Sequence, residues 1–349
     1  PSGAPPPSPW VHRSAHPAAE LDVTAHGRVH LGLLQMSDDF SVCNMGVGFA
    51  VEHPRWRLRV TRARAARDSV TCAAPTALSD ELLVEARCVL ARLSDDGGLS
   101  PVDIEILEAI PPHVGLGSKT ALLCALVRAK AEVAGMRAGW THLRHLTGRG
   151  GTSGVGINVA VSGGFVLDSG HREAPHRTLA PSSARSGRPV PIAAGRWELP
   201  PWPLLLVTVT DATKRFGEEE RVFFGQNLPV ERTEVERLAA IVLFELLPAV
   251  AAGGYEPFTH AVRQLQEIGF KAREWSGQDQ RVRDVRRAAL ESGADCVALT
   301  SMGPTVAVFG RQLDTVAEAV RAAAPGRVEV IRTFPRNQGI GTARRGAGR

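Results

Sequence analysis

The segment PPHVGLGSKTALLCALVRA, which begins at Pro111, limits the possible folds more than any other part of this 349-residue chain. Gly115, Gly117 and Ser118 stand directly before an apolar run with helical spacing. The first four backbone N–H groups of a helix lack intrahelical partners and carry partial positive charge, and glycines let an anion approach them closely. The pattern predicts a phosphate-binding turn; the alternative is a purely structural corner between a strand and a helix.

A second segment of small residues, RGGTSGVGINVAVSGG, begins at Arg149. Its density of Gly, Ser and Thr favours a second anion-binding turn, with a structural loop as the alternative. Asp168 and His171 directly follow the predicted strand GGFVLD, where loops that leave strands commonly carry site residues. The Gly-Pro-Thr turn of SMGPTVAVFG, which contains Gly303 and Thr305, precedes another strand and has no functional signature of its own.

The stretch TAHGRVHLG has the alternation of a strand. It places His26, Arg28 and His30 on one face and the intervening residues on the other. Two imidazoles and a guanidinium on one face suit an anion, whereas a solvated sheet face is the alternative. We therefore take these three residues as candidate anion ligands.

Several catalytic patterns are absent from the sequence. Lys119 does not follow a glycine at the spacing of a Walker motif, and no G-x-G-x-x-G follows a strand, so neither a P-loop nor dinucleotide binding is supported. Asp38 and Asp39 could bind Mg²⁺ or could be a solvated pair in a loop. No Ser/His/Asp nucleophile arrangement can be assembled from the spacing.

The composition excludes several classes of protein. The net charge is +5, the charges are dispersed, and no nucleic-acid motif is visible, so a nucleic-acid partner is not expected. The five cysteines are odd in number, widely spaced and without a C-x-x-C pair, which favours a reducing compartment over a disulfide framework or a zinc site. The chain has neither a signal-peptide pattern nor an apolar run of about 18 residues, which predicts a cytoplasmic protein outside the membrane.

The order of predicted elements indicates two α+β units. We expect a disordered proline-rich leader at 1–20, an N-terminal domain at 21–202, a C-terminal domain at 203–340 and a flexible basic tail at 341–349. The first unit has the predicted strands DVTAHGRVHLGLL, VGFAVE, WRLRVTR and VDIEILEAI, and predicted helices at 79–93, 118–134 and 141–146. Residues 171–203 are predicted to form a long connection. The second unit has the predicted strands PLLLVTV, CVALT, TVAVFG and VEVIRT, and predicted helices at 230–247, 257–268, 281–291 and 313–324.

Taken together, these segments resemble a known family. PPHVGLGS is similar to the phosphate-binding motif of the galactokinase, homoserine kinase and mevalonate kinase (GHMP) superfamily. More specific are GGFVLDSGH, LAPSSARSGRPVPIAAGRWELPPW, LLPAVAAGGYEPFTHAVRQLQEIGFKAREWSGQ, TSMGPTVAVFG and FPRNQGI, which follow in order. From Thr24 to Ile340 the chain resembles the β-ribofuranosylaminobenzene 5′-phosphate synthase family. The resemblance implies a two-domain GHMP-kinase-like fold, with a ribosomal-S5-like N-terminal domain and a ferredoxin-like C-terminal domain.

The resemblance also implies an activity. The family shares the fold of the kinases but joins phosphoribosyl pyrophosphate (PRPP) to the carboxyl-bearing carbon of an aromatic acid, with loss of pyrophosphate and CO₂. This chain departs from the pattern at Lys119, where a small residue is usual, and at RGGTSG, which replaces a more basic run. These departures make it resemble the C-glycoside synthase of formycin-type C-nucleoside antibiotics, whose acceptor is an aminopyrazole dicarboxylate. A homodimer is a further implication of the family.

The resemblance suggests a role for each candidate residue. The pyrophosphate would bind at residues 115–120 with help from Lys119 and Mg²⁺, whose ligands the sequence does not identify, and the acceptor carboxylates would bind Arg28, His26 and His30. No strong base is needed for a ring proton, because CO₂ is the group that departs. The remaining expected substrate ligands are Gly115, Leu116, Gly117, Ser118, Thr120, Thr152, Ser153, Gly154, Asn158, Asp168, His171, Gly303 and Thr305.

Two other functions stay open at this stage. An ATP-dependent small-molecule kinase would bind ATP·Mg²⁺ at the same turn and use Asp168 or Lys119 beside the acceptor hydroxyl. A non-catalytic protein that binds a phosphorylated metabolite would need only the anion-binding turns. The order of the family segments favours the synthase over both.

Overall fold

The computed structural model describes residues 10–13, 18–72, 79–95, 98–138, 140–172, 191–214 and 217–345. The strands in these residues are β1 (Trp10–Arg13), β2 (Glu20–Gln35), β3 (Val42–Arg62), β4 (Ser69–Cys72), β5 (Val102–Glu108), β6 (Met136–Ala138), β7 (Phe165–Asp168), β8 (His171–Arg172), β9 (Ala193–Trp197), β10 (Leu204–Val209), β11 (Ala294–Leu299), β12 (Thr305–Gly310), β13 (Val328–Thr333) and β14 (Gly341–Arg344). The helices are α1 (Asp80–Asp95), α2 (Ser118–Val133), α3 (Trp140–Thr147), α4 (Val155–Ser162), α5 (Glu218–Asn227), α6 (Arg232–Ile241), α7 (Leu247–Ala252), α8 (Tyr255–Gln266), α9 (Gly269–Ser276), α10 (Gln280–Glu291) and α11 (Leu313–Ala323), with a π-helical turn, Val242–Leu246, between α6 and α7.

The first sheet has the order β14-β2-β3-β5-β4, and β7, β8 and β9 extend it beside the first half of β3. Strand β2 alternates buried and half-buried residues over its first half, as one covered face requires. From Leu31 onward every residue of β2 is buried, because other elements cover both faces there. The segments VGFAVE and WRLRVTR, predicted as two strands, run together in β3.

Helix α2 is the central helix of the first unit. It packs on β2 and β3, and α1, α3 and α4 lie against it. Nearly all of its side chains are buried, as expected of a helix that is apolar on all sides. Lys130 is charged, unlike the other buried side chains of α2, and it forms an ion pair with Asp68.

The second sheet has the order β11-β12-β10-β13 and is antiparallel throughout. Alternate residues of β10 face two different cores: Leu204 and Leu206 join the core that includes the first sheet, whereas Leu205 and Val207 join the core under α10 and α11. The continuous apolar run LLLVTV therefore reflects a strand that is buried on both faces. The mixed helices and sheets confirm the predicted α+β class.

The described parts of the two segments expected to be flexible contain strands, and residues 346–349 of the expected tail lie outside the described residues. Gly341–Arg344 forms β14, which pairs with β2 from Thr24 to Leu21, and Arg345 forms an ion pair with Asp22. The backbone N–H of Arg336 already donates to the carbonyl oxygen of Ala50, so the chain returns to the first sheet before residue 340. Within the expected leader, Trp10–Arg13 pairs with β6, while residues 1–9 and 14–17 lie outside the described residues.

Other expected elements are partly revised. The glycine-rich segment after Arg149 contains a helix, α4, and α5 and α9 are helices that the periodicity did not predict. The expected long connection contains β8 and β9, with residues 173–190 outside the described part. Across the described residues, no helix is both long enough and apolar enough to cross a bilayer.

Candidate functional site

The glycine turn (residues 111–117) leads directly into α2, as predicted. Gly115 and Gly117 both have positive φ angles, +85° and +76°, a region that side chains rarely adopt. A Cβ atom on Gly115 would lie 2.3 Å from the carbonyl oxygen of Thr300. The turn thus depends on glycine both for its backbone angles and for its close approach to the second sheet.

Arg28 on β2 makes two hydrogen bonds to the glycine turn. Its backbone N–H donates to the carbonyl oxygen of Leu116 at 3.0 Å, and its Nη1 donates to that of Gly115 at 2.6 Å. Its Nε is buried without a hydrogen-bond partner among the described residues. Burial, with a smaller contribution from Arg149, lowers the pKa of Arg28 to about 10, so the guanidinium stays charged.

His26 does not share the site with Arg28. The pairing of β2 with β3 shifts register between these two residues, which breaks the alternation that the sequence implied. The His26 ring instead contacts the carbonyl oxygen of Glu52, with Nδ1 at 3.0 Å. Burial, together with the nearby Arg336, lowers the pKa of His26. The role expected for His26 as a ligand of the acceptor has no support in this geometry.

His30 belongs to a buried hydrogen-bonded chain. Its Nε2 lies 3.2 Å from Oγ of Ser153, and that hydroxyl donates to Oδ2 of Asp168 at 2.8 Å. The Asp168 carboxylate also accepts N–H groups from Gly154 at 2.9 Å and Val155 at 3.2 Å. Burial raises the pKa of Asp168 to about 6 although these hydrogen bonds oppose the shift.

The electrostatics of His30 contradict the cationic role expected for it. Burial, and then Arg28 and Lys271, hold the pKa of His30 well below its usual range although its own backbone opposes the shift, so its imidazole is neutral. A neutral imidazole cannot supply the positive charge expected for an acceptor carboxylate. The spacing indicated no Ser/His/Asp arrangement, yet the fold brings Ser153, His30 and Asp168 together, with the serine in the middle.

The site is a cavity with two connected compartments. The outer compartment, of 340 Å³, lies along the glycine turn and the start of α2. The inner compartment, of 100 Å³, lies against His30 and Ser153; most of its lining is polar, and four apolar side chains complete it. Residues that line both compartments are Arg28, Thr120, Arg149, Glu220 and Ser301. The apolar side chains of the inner compartment are Leu33, Ile157, Phe224 and Met302.

Arg149 is a central residue of the cavity that the sequence analysis left out of the site. Its Nε donates to Oγ1 of Thr120 at 3.2 Å, and its charge acts on Arg28, which lowers the pKa of Arg28. Neither guanidinium forms an ion pair with another described residue. Two such cations beside one cavity favour an anion there. The sequence offered one indication of this role, because Arg149 stands directly before the two glycines of RGGTSG.

Glu220 and the Lys271–Glu274 pair complete the charges around the cavity. Burial raises the pKa of Glu220 to about 7, and Arg149 opposes this shift. Lys271 is buried, pairs with Glu274 and donates to the carbonyl oxygen of Ser301 at 3.1 Å. Ser301 has a φ angle of +53°, unusual for a residue with a side chain. Lys271, Glu274 and Ser301 lie within segments that carry the family resemblance, but no pattern in the sequence assigned a site role to them or to Glu220.

The other predicted ligands near the glycine turn have structural partners. Lys119 pairs with Glu85 and lies 3.7 Å from Glu81, so its charge is partly compensated at the edge of the outer compartment. The Ser118 hydroxyl donates to the carbonyl oxygen of Ile110 at 2.8 Å. Thr120 lines both compartments, and its hydroxyl accepts from Arg149.

Six predicted substrate ligands line neither compartment: Gly154, Asn158, Asp168, His171, Gly303 and Thr305. The Asn158 amide donates to the carbonyl oxygens of Gly154 and Pro191, and Thr305 exchanges a 2.7 Å hydroxyl contact with Thr208 between β10 and β12. His171 is buried in the pairing of β8 with Cys43 of β3. Gly303 supports the turn next to Gly115 without lining the cavity. Thr152, in contrast, lines the inner compartment.

The residues present can be tested against Mg²⁺. The described residues contain no cluster of three His, Cys, Asp or Glu side chains that could hold a metal ion. Glu81 and Glu220 do line the outer compartment. Mg²⁺ commonly keeps several waters and uses one or two carboxylates together with substrate phosphates. The donor set therefore fits Mg²⁺ that binds together with a phosphorylated substrate, whereas Asp38 and Asp39 lie outside both compartments.

Comparisons with known proteins agree with this architecture. A family model described as GHMP kinases N terminal domain matches residues 82–164. The chain is 31% identical over 327 residues to the beta-ribofuranosylphenol 5′-phosphate synthase of Methanothermobacter thermautotrophicus, with 92% of this chain and 98% of the relative covered. It is 30% identical over 286 residues to the enzyme of the same name from Archaeoglobus fulgidus, with 82% and 86% covered.

Among solved structures, L. major mevalonate kinase in complex with R-mevalonate superposes with a TM-score of 0.68 at 14% identity, over 95% of this chain and 99% of that chain. At this identity the likeness concerns the fold alone. Together with the family model it confirms the predicted GHMP-kinase-like fold.

Proposed function

This chain belongs to the beta-ribofuranosylphenol 5′-phosphate synthase family of C-glycoside synthases, and we propose that it joins the ribose 5-phosphate of PRPP to a ring carbon of an aromatic or heteroaromatic carboxylic acid. Pyrophosphate and CO₂ would be the other products. The observation that carries the proposal is a pair of adjoining compartments, a larger one along the glycine turn and a smaller one that includes four apolar side chains, which share Arg28 and Arg149 in their lining.

The outer compartment suits the phosphates of PRPP. The glycine turn and the first N–H groups of α2 face it, and Arg28 and Arg149 add two guanidiniums. A helix start and preorganised cations stabilise the negative charge that grows on a departing pyrophosphate. Mg²⁺ held by the pyrophosphate, with Glu81 and Glu220 as the nearest carboxylates, would neutralise part of that charge.

The inner compartment suits the acceptor ring. An apolar cavity of about 150 Å³ is known to hold one benzene molecule. The inner compartment measures 100 Å³, less than that volume, but it shares Arg28 and Arg149 with the outer compartment, so we place a single small ring across the two with its carboxylate toward these arginines. Leu33, Ile157 and Phe224 would contact the ring faces. The small volume favours a single ring over a fused system, and an aminopyrazole dicarboxylate is the acceptor that we propose.

The reaction balances without a redox step. A ring carbon attacks C1 of the ribose as the C1–oxygen bond to pyrophosphate breaks, so the leaving group takes that electron pair. The bond between the ring and its carboxylate then breaks, CO₂ leaves, and the electron pair restores aromaticity. Holding the two reactants in adjoining compartments can supply about 7–11 kcal/mol of the barrier in ideal cases.

The first experiment compares thermal unfolding with PRPP·Mg²⁺ and with ATP·Mg²⁺, because a ligand that binds only the folded state raises the unfolding midpoint. We expect PRPP to stabilise the protein and ATP to have no effect. Release of pyrophosphate and CO₂ is then measured with a panel of single-ring aromatic carboxylates, aminopyrazole dicarboxylate included. Stabilisation by ATP alone, with phosphoryl transfer to a small alcohol, would overturn the proposal in favour of a kinase.

A further inference from the structure

One ring nitrogen of His30 contacts a hydroxyl group, and the other has no hydrogen-bond partner among the described residues. The side chain is 6% exposed and lines the inner compartment. Its Nε2 contacts the Ser153 hydroxyl, whereas its Nδ1 is buried and has no hydrogen-bond partner among the described residues. A buried polar atom without a partner is destabilising, so its presence beside a cavity points to a bound ligand as the missing partner.

The hydrogen bonds around Asp168 determine which proton His30 carries. An ionised carboxylate only accepts hydrogen bonds, so the Ser153 hydroxyl must use its single proton toward Asp168. The Ser153 oxygen can then only accept, and it accepts from the Val155 N–H at 3.1 Å and from Nε2 of His30. Nε2 therefore carries the hydrogen, and Nδ1 is left as a bare lone pair.

We propose that His30 is a catalytic residue whose Nδ1 accepts the proton of an N–H or O–H group on the acceptor ring. This inference rests on the proposed function. Ser153 and Asp168 are positioning residues that keep Nδ1 in the acceptor state. The cations Arg28 and Lys271 near His30 favour its neutral form before the substrate binds.

The proton movement balances with the proposed reaction. As the ring carbon attacks C1 of the ribose, the ring loses electron density. The O–H or N–H substituent donates electron density to the ring as its proton passes to Nδ1 of His30. The resulting positive charge on the imidazole is stabilised through Ser153 by the Asp168 carboxylate. When CO₂ leaves and the ring regains its electrons, the proton returns to the substituent, so no base outside the chain is needed.

The test uses matched acceptors in which methylation removes the donor proton. Initial rates with PRPP·Mg²⁺ are compared for 4-hydroxybenzoate and 4-methoxybenzoate, for 4-aminobenzoate and its N,N-dimethyl derivative, and for aminopyrazole dicarboxylate and its N-methylated form. In the wild type we expect methylation to lower kcat/KM by about 10²-fold or more, the range of positioned proton transfer. In His30→Gln the difference between the members of each pair should largely disappear.

The positioning residues need a readout beyond lost activity. Ser153→Ala and Asp168→Asn should lower kcat and leave KM for PRPP unchanged, and Ser153→Thr, which restores a hydroxyl, should recover most of the rate. Ser162→Ala is the matched control, because its hydroxyl caps the carbonyl oxygen of Asn158 at the far end of α4. The unfolding midpoint of each variant reports whether it folds.

The outcomes separate this inference from the proposed function. Equal kcat/KM values for hydroxylated and methylated acceptors, in a wild-type enzyme that releases pyrophosphate and CO₂, would overturn the role of His30 and leave the synthase activity standing. No turnover with any of the acids, in a protein that PRPP does not stabilise, would overturn both. Retention of the wild-type preference in folded His30→Gln would also contradict the inference.

Discussion

Nη1 of Arg28 donates a 2.6 Å hydrogen bond to the carbonyl oxygen of Gly115, an oxygen that also accepts the Thr300 hydroxyl at 2.8 Å. One oxygen thus ties the strand β2, the glycine turn and the second sheet together. Arg28 still has its Nε and its second terminal nitrogen for a ligand. The same side chain supports the turn and faces the anion that the turn would bind.

Arg28→Lys should therefore separate these two roles. A lysine ammonium keeps the charge but is a single donor centre, and it cannot reach both Gly115 and an anion in the fork geometry of a guanidinium. We expect kcat/KM to fall by about 10²-fold, the typical cost of one preorganised donor at developing charge. Steady-state kinetics check this, with Arg232→Lys as the control because its partner Glu236 is exposed. Wild-type kinetics in Arg28→Lys would contradict the assignment.

Gly115→Ala should disable the turn through contact with the second sheet. The positive φ angle alone costs about 1–2 kcal/mol for a residue with a side chain. The new Cβ would also meet the carbonyl oxygen of Thr300, at 2.3 Å, so the turn must shift. We expect thermal stabilisation by PRPP·Mg²⁺ to be lost. Gly148→Ala, with φ +60° and no atom within 4 Å, controls for backbone strain without a clash, and equal effects in both variants would refute the argument.

Removal of Mg²⁺ should stop the reaction without changing the ligand-free protein. Because the described residues form no three-ligand metal cluster, the ion would bind together with the substrate phosphates. EDTA is expected to abolish pyrophosphate release and to leave the unfolding midpoint of the ligand-free protein unchanged. A chelator that lowers this midpoint would instead indicate a resident structural ion.

Lys130→Met should lower stability and leave the chemistry intact. Lys130 is fully buried, and its ammonium donates to both oxygens of Asp68, to the carbonyl oxygen of Leu90 and to the Ser94 hydroxyl. Breaking such a pair typically costs about 3–5 kcal/mol, because Asp68 loses its counter-charge. Denaturant unfolding measures the loss. The exposed pair of Arg232 is the control, where Arg232→Met should cost less than about 1 kcal/mol.

The periodic elements were predictable because burial acts locally along a strand or a helix. Strand β10 and the start of α2 lie where the apolar runs and Gly117 placed them. The candidate Arg28 also followed from strand alternation. His26 did not, because the register of β2 on β3 shifts beside Gly27, and a register shift depends on the partner strand, not on the local pattern.

The site residues that the sequence analysis did not predict are brought together by packing between parts of the chain that are far apart in sequence. Lys271 and Ser301 meet β2 only because the second sheet packs on the first, over about 240–270 residues of sequence separation. Asp168 was selected for its place at a strand end, but its partner could not be inferred. The chain from Asp168 through Ser153 to His30 joins three elements, β7, the turn before α4, and β2, whose spacing in the sequence carries no signal.

The final prediction concerns pH, because stability and activity should respond to Asp168 in opposite directions. Its pKa is about 6 in the folded protein and 3.8 ordinarily, so the folded state binds the proton more tightly. This contribution to stability is complete below pH 3.8 and is lost as the pH rises through 6, about 3 kcal/mol in all.

Activity should instead rise through pH 6, since a protonated Asp168 would donate to Ser153, reverse the chain of hydrogen bonds and place the hydrogen on Nδ1 of His30. The other charged groups near His30 are Arg28, Lys271 and the Glu274 carboxylate that pairs with Lys271, and Glu220, whose pKa burial raises to about 7, lies elsewhere in the cavity. A kcat–pH profile of wild type and Asp168→Asn checks this: the limb near pH 6 should vanish in Asp168→Asn and persist in Glu220→Gln, and its loss in Glu220→Gln instead would assign the limb to the wrong carboxylate.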